Sequence, residues 1–371
     1  MNSTFPPCPQ PPDWKIDWPT LDPMPWIEDL KGCPQHPVRH AEGDVWTHVH
    51  MVCEAMAALP AWRELPEDER RVLFSAALLH DVAKPVCTRV ETDGSISSRG
   101  HSWRGAVRAR QILWKRGVPF ADREQVAALV RHHLVPFFLA ESENPRRHAI
   151  EVSQTARCDW LSILAESDAR GRTCPDPERL LNQIRLFREQ CAELECLSRP
   201  FSFATDHARF LYFRDAGRQP DSPAHEEFTC DVVLMSGLPG SGKDFWIRKY
   251  ASSDVISLDA LRHELGVAPS DPQGLVLNRA KEMAREHLRS KKSFVWNATN
   301  LSRHVRGECV RLFHDYGARV RIVYIEANPE RLFAQNRQRR KKVPESVIER
   351  LLDKWEVPDR TEAHQVDWIV L

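Results

Sequence analysis

The sequence predicts a two-part chain: an all-helical half followed by an α/β half built on a parallel sheet. Two observations carry this. From about residue 42 to 200 the apolar residues recur at helical spacing with no β-rich run between them. After residue 228 short apolar runs alternate with helical stretches, the pattern of βαβ units. The chain has 371 residues, long enough for two domains.

Residues 1–40 are rich in Pro and Trp ("FPPCPQPPDWKIDWPTLDPMPW") and read as an extended arm laid over a domain, with Trp side chains as anchors. The helical domain is assigned to 41–212, through "DVWTHVHMVCEAMAAL", "EDERRVLFSAALLHDV", "SWRGAVRARQILWKRG", "DREQVAALVRHHL", "CDWLSILAESDARGR" and "PERLLNQIRLFREQCAEL". The polar, Pro- and Gly-containing stretch 213–228 reads as a linker. The α/β domain is assigned to 229–371, with strands expected in "DVVLMSG", "DVISL", "KSFVWNAT", "RVRIVYIEA" and "VDWIVL".

Composition narrows the class. Hydrophobic residues make up 42% and charged residues 28%, as in an ordinary globular protein, and a net charge of zero gives no global pull toward nucleic acid. The ten cysteines form no CxxC and no regular framework, so reduced thiols are expected. No stretch approaches the roughly 18 apolar residues of a membrane span, and no basic segment leads into an apolar run. The expectation is a cytoplasmic protein with no membrane partner.

The helical half concentrates histidines. In the first helix Val45, Val49, Val52, Met56 and Leu59 form one stripe; His48 falls within it and His50 opposite. An inward imidazole needs a hydrogen bond or a metal. His80 lies on the face of Leu73, followed by Asp81. Then come His101, the pair His132-His133 and Asp168. One inward His is more often a satisfied core residue. A set of N and O donors spread over successive helices suits a divalent transition metal.

The order H…HD…H…HH…D around "ALLHDVAKP" resembles the HD phosphohydrolase superfamily. The flavour "EGDVWTHVHMV…LLHDVAKP…GHSWRGA…LVRHH" is similar to HD domains of bacterial tRNA nucleotidyltransferases and RNA-repair enzymes. The resemblance implies an all-helical fold and metal-dependent phosphoester hydrolysis. It implies that His48, His80, Asp81 and Asp168 hold one metal, and that His101, His132 and His133 hold or approach a second. Lys84 reads either as a phosphate contact or as a solvated helix-end lysine.

In the second half, "DVVLMSGLPGSGKDFWIRKY" runs from an apolar strand through Gly237-x4-Gly242-Lys243 into a helix, the context of a phosphate-binding loop. Gly237, Gly240, Ser241 and Gly242 would turn backbone N–H groups onto phosphates, and Lys243 would reach the β/γ-oxygens of ATP or another NTP with Mg²⁺. Asp244 stands where such loops carry Ser or Thr. A carboxylate is also a hard oxygen ligand, so tighter metal dependence is expected; the alternative is an inactive loop. Asp259 ends the second strand, where ligands of open sheets gather, and Arg262 follows on the same helix face. Five of the six residues 337–342 are basic and fall where a lid is expected.

These pieces resemble the polynucleotide 5′-kinases of phage and bacterial RNA repair: Gly240-Ser241-Gly242-Lys243, Asp259 with Arg262, Thr299-Asn300-Leu301, and Arg339 ahead of Val343-Pro344. The resemblance implies that Asp259 is the base for the acceptor 5′-OH and that Arg262 grips the adjoining phosphate. It also implies that Thr299 and Asn300 touch the acceptor, and that Arg339 meets the donor phosphates. Two positions depart from it: Asp244, and Asn297-Ala298 where relatives carry an acidic residue. Together the two halves imply an RNA end-healing enzyme. Its substrates would be RNA with a 5′-OH or a 2′,3′-cyclic phosphate, and possible removal of 2′- or 3′-phosphates goes with it; an RNA ligase would act beside it. The alternatives are a nucleotide phosphohydrolase fused to a small-molecule kinase, and an ATP-binding RNA sensor without turnover.

Overall fold

The computed structural model describes residues 5–339 and 342–371. The chain divides into two compact units, Met1–Ser202 and Phe203–Leu371.

The first unit is helical: α1 (Val45–Ala58), α2 (Glu67–Leu79), α3 (His101–Lys115), α4 (Phe120–His132), α5 (Pro145–Ser153), α6 (Cys158–Arg170) and α7 (Pro177–Glu193). Local chemistry sets the ends of α1. The Asp44 carboxylate accepts from the Thr47 N–H, capping the first turn, and Pro60 follows where the helix stops. Its buried residues include Val45, Val49, Val52 and Met56, the stripe read from sequence. In α2 acidic Glu67, Asp68 and Glu69 occupy the first turn, favourable against the helix dipole, and every residue from Val72 to Leu79 is buried. This is the central helix of the unit, and it ends where the site begins.

A small hairpin, β1 (Arg89–Val90) with β2 (Ile96–Ser97), interrupts the helices. The expectation of helices alone overlooked its turn, where Gly94 takes φ 79° after Asp93. The arm contributes to the core: Ile16, Leu21, Trp26, Ile27 and Leu30 are buried in it. Trp14 meets Trp62 edge to face at 5.7 Å, and Trp18 stacks on His50 at 3.6 Å.

The second unit holds a five-stranded, wholly parallel sheet of order β4-β5-β3-β6-β7. The strands are β3 (Asp231–Ser236), β4 (Asp254–Ser257), β5 (Phe294–Asn297), β6 (Arg319–Glu326) and β7 (Gln365–Val370). All five runs expected from sequence are strands. Chain order turns outward from β3 in both directions, so the crevice at its carboxyl end is the topological switch point where such sheets bind ligands. Its helices are α8 (Asp206–Arg214), α9 (Lys243–Tyr250), α10 (Leu258–Glu264), α11 (Gly274–Arg289), α12 (Arg303–Asp315), α13 (Pro329–Gln338) and α14 (Glu345–Leu352).

The helical half was expected to run to residue 212, but α8 belongs to the second unit. Phe210 is fully buried in the sheet core and stacks on His364 at 3.9 Å, and Arg209 donates to the His364 carbonyl at 2.9 Å. Burying one Phe contributes about 1.5–3 kcal/mol, enough to decide which side a nine-residue helix joins. All ten cysteines are free. Among the described residues no helix is long and apolar enough to cross a membrane.

Candidate active sites: a metal centre and a phosphate loop

Four histidines of the helical unit present the same ring nitrogen inward. Nδ1 lies 2.7 Å from the Ala77 carbonyl in His80, 2.7 Å from the Ser98 carbonyl in His101 and 2.8 Å from the Val130 carbonyl in His133. In His48 it lies 2.9 Å from the Glu42 carboxylate. At His80, His101 and His133 an oxygen that only accepts fixes the proton on Nδ1 and leaves Nε2 with a lone pair. His48 Nδ1 lies beside the Glu42 carboxylate without an aligned hydrogen bond.

Those Nε2 atoms converge on two carboxylates. His48 Nε2 is 3.2 Å from Asp168 Oδ1 and 3.4 Å from His80 Nε2. His80 Nε2 is 3.2 Å from Asp81 Oδ2. The other Asp81 oxygen, Oδ1, faces His101 Nε2 at 3.4 Å and His133 Nε2 at 3.9 Å, and those two rings are 3.3 Å apart. Two donor groups result, His48/His80/Asp168 and Asp81/His101/His133, and the Asp81 carboxylate spans them. Asp81 Oδ1 and Asp168 Oδ2 are buried without a hydrogen-bond partner among the described residues. Lone pairs and orphaned carboxylate oxygens facing one another fit one or two divalent metals.

Electrostatics agree with a charged donor set. Burial alone would raise the Asp81 carboxyl, but the Lys84 ammonium beside it holds it well below the usual carboxylate range. At Asp168 burial is likewise outweighed by the Arg172 guanidinium at 2.6 Å. Burial, then the neighbouring His101 and His80, push His133 down to about 3, keeping it a neutral ligand.

His132 does not join them. Its Nε2 meets the Thr155 hydroxyl at 3.1 Å, because consecutive helical residues point about 100° apart. Lys84 is no solvated helix-end residue: it is buried, with its ammonium 2.7 Å from Asp81 Oδ2 and 2.6 Å from Gln35 Oε1. Sequence reading missed Gln35 and Glu42. Glu42 also meets His40 at 2.9 Å and accepts from the Thr173 N–H at 2.9 Å. Their only signal was the run "PQHPVRHAEGD", polar residues just ahead of a histidine-bearing helix.

At the sheet, the loop after β3 takes positive φ at Gly237 (144°), Gly240 (84°) and Gly242 (103°). A Cβ at Gly237 would lie 2.3 Å from the Ile325 carbonyl, so only glycine allows the close turn. That cradle fits a phosphate chain. Lys243 Nζ donates to the Gly237 and Leu238 carbonyls at 2.8 and 2.9 Å, and burial pushes it down to about 8. Asp259 is exposed in the first turn of α10 and pairs with Arg262, which also donates to Gln273 at 2.8 Å.

Asn300 is not free for an acceptor. It is buried at φ 44°, and its amide donates to the Met235 carbonyl at 2.7 Å. The Thr299 carbonyl accepts from the Gly237 N–H at 2.9 Å. This segment braces the phosphate loop; in a left-handed turn an Asn side chain bonds backbone rather than ligand. Arg339 caps α13, whose Asn336 clasps Val343 by two hydrogen bonds. Of the basic run, Arg340 and Lys341 lie outside the described residues.

Comparison with known proteins matches these two sites to two families. Residues 44–164 match the HD domain family and residues 232–358 the AAA domain family. The bifunctional uridylyltransferase/uridylyl-removing enzyme of Rhodopseudomonas palustris is 35% identical over 115 residues, which are 29% of this chain and 11% of that protein. The multifunctional CCA protein of Halorhodospira halophila is 32% identical over 111 residues, 30% of this chain and 24% of the relative. The chain thus spans no more than a quarter of either relative's length. An unliganded sugar kinase from Janibacter sp. HTCC2649 overlaps 38% of this chain and 84% of its own, at 18% identity and a TM-score of 0.30. The chain thus joins a helical HD domain to an AAA-family domain built on a parallel sheet with a phosphate loop.

Proposed function

We propose that this chain heals RNA ends, phosphorylating 5′-OH termini with ATP and opening 2′,3′-cyclic phosphates. The observation that carries the reading is the Asp259–Arg262 pair at the carboxyl end of β4, on the same end of the parallel sheet where β3 runs into the phosphate loop. A base and a phosphate grip stand together at the sheet end that carries the phosphate loop.

In the kinase half, Asp259 takes the proton of the attacking hydroxyl as its oxygen bonds to the γ-phosphorus and the bond to ADP breaks. Arg262, turned from Asp259 toward the acceptor, grips the phosphate of the first linkage. Lys243 exchanges its loop carbonyls for phosphate oxygens, and Arg339 neutralises charge on the transferring group. An acceptor phosphate in that grip favours polynucleotides over free nucleosides.

In the HD half, His48, His80, Asp168 and Asp81 Oδ2 would hold one metal, and Asp81 Oδ1, His101 and His133 a second. A divalent metal, when bound, supplies Lewis acidity and an activated water near neutral pH. Lys84 and Arg172 keep the two carboxylates ionised and hold them in place. A relative named for uridylyl removal accords with cleavage at phosphorus.

The test is one short RNA with a 5′-OH and a 2′,3′-cyclic phosphate, incubated with ATP, Mg²⁺ and a panel of transition metals, its ends analysed by mass. Asp81→Ala should abolish only cyclic-phosphate opening, and Asp259→Ala only phosphorylation. If a mononucleotide serves as well as the oligomer, the polynucleotide reading fails in favour of a small-molecule kinase.

A further inference from the structure

The two residues that depart from the kinase pattern touch each other. Asn297 ends β5 and Asp244 opens α9, 53 residues apart in sequence, yet the Asn297 amide donates to Asp244 Oδ1 at 2.9 Å. Phosphate-loop enzymes ordinarily hold Mg²⁺ with a hydroxyl on the loop and a carboxylate at a strand end. Here the carboxylate is on the loop and a neutral amide is at the strand end. We infer that the two positions have exchanged the carboxylate: Asp244 is the cation ligand of the nucleotide site, and Asn297 is the positioning residue that orients it. This rests on the reading of the loop as an ATP site.

Charge explains why both positions differ at once. An Asp at 297 would stand at hydrogen-bonding distance from Asp244, two like charges beside a polyphosphate. The amide instead spends one N–H on Oδ1 and fixes the carboxylate plane. Asp244 remains exposed, so its second oxygen is accessible to a cation. Lys243 does not neutralise it by direct pairing, since its ammonium is occupied by the Gly237 and Leu238 carbonyls. With no cation, Asp244 repels the triphosphate; with Mg²⁺, the same carboxylate attracts it. The loop is thereby made selective for the metal complex of the nucleotide over the free nucleotide.

The test uses the full chain in four forms: wild type, Asp244→Ser, Asn297→Asp and the double variant. Equilibrium binding of a fluorescent ATP analogue is measured with Mg²⁺ and with EDTA. In the wild type Mg²⁺ should tighten binding by about tenfold or more, the scale of a hydrogen-bonded charge. Asp244→Ser should bind better in EDTA and lose most of the Mg²⁺ effect. Asn297→Asp alone should bind worst in EDTA. The double variant, with a loop hydroxyl and a strand carboxylate, should recover the wild-type Mg²⁺ effect to within about threefold. An unchanged Mg²⁺ effect in Asp244→Ser, or a double variant no better than Asp244→Ser, overturns the exchange. Phosphorylation of a 5′-OH RNA is scored separately. If the binding pattern holds and no RNA is phosphorylated, the acceptor reading fails while the exchange stands.

Discussion

Replacing Glu42 by Gln tests how the metal centre is supported. The Glu42 carboxylate meets His48 Nδ1 at 2.9 Å and His40 Nδ1 at 2.9 Å, and accepts from the Thr173 N–H at 2.9 Å. Burial opposes its charge, but His40 and His48 outweigh that and keep it ionised far below the usual range. Gln conserves the volume and its oxygen can stand in for Oε1 against both histidines, but the N–H₂ then turns a donor toward the Thr173 N–H, and the negative charge behind His48 is lost. The loss is one hydrogen bond to a charged group, about 1.5–3 kcal/mol, or about 10–100-fold. That is also the cost typical of removing a carboxylate behind a metal-bound histidine. The assay is metal retained per chain after graded chelator competition, by elemental analysis, alongside cyclic-phosphate opening. Both should fall by that factor in Glu42→Gln. Metal retention and cleavage equal to the wild type would refute the reasoning and reduce Glu42 to a brace between His40 and the Thr173 backbone.

Three further outcomes follow from other contacts. Gln35→Ala frees the Lys84 ammonium from its 2.6 Å partner and should slow cyclic-phosphate opening by about tenfold, while Gln35→Glu, which still accepts, should recover part of it; equal rates in all three would refute it. Asn300→Ala removes the bond to Met235 and strains φ 44°, so thermal unfolding should come earlier, by the equivalent of about 1–3 kcal/mol, and nucleotide binding should weaken. His364 is held down to about 3 by burial and then by His207 and His314; its unfolded value is 6.5. The unfolded chain therefore binds the extra proton, and this stability is fully present above about pH 6.5. It falls by up to about 1.4 kcal/mol per pH unit as pH drops toward 3. Denaturation midpoints between pH 7.5 and 5 should show that slope lessened in His364→Asn.

The elements were legible where period and punctuation agreed. All five strands and the His48 face of α1 followed from apolar spacing, and the phosphate loop from glycines between a strand and a helix. Ligand direction was not legible. His132 and His133 are adjacent letters, and only the end of α4 decides that one ring meets Thr155 and the other the metal centre. Partners brought from outside the periodic segments were also hidden. Gln35 and Glu42 lie in a loop with no pattern, and their reach to Lys84 and His48 depends on tertiary packing. Asn300 was misjudged because a motif letter does not reveal a backbone turned to positive φ.

The arm changes where the helical domain begins as a physical object. The family match starts at residue 44. A protein cut there would discard Ile16, Leu21, Trp26, Ile27 and Leu30 from the core, and with them Gln35 and Glu42. Each lost large apolar side chain would leave a hole costing about 2–5 kcal/mol, against a total stability of about 5–15 kcal/mol for a whole domain. The shortest self-sufficient version of this helical domain therefore starts well upstream of its recognisable motif. Deletions from the N-terminus should extinguish cleavage stepwise, before any histidine of the metal centre is reached.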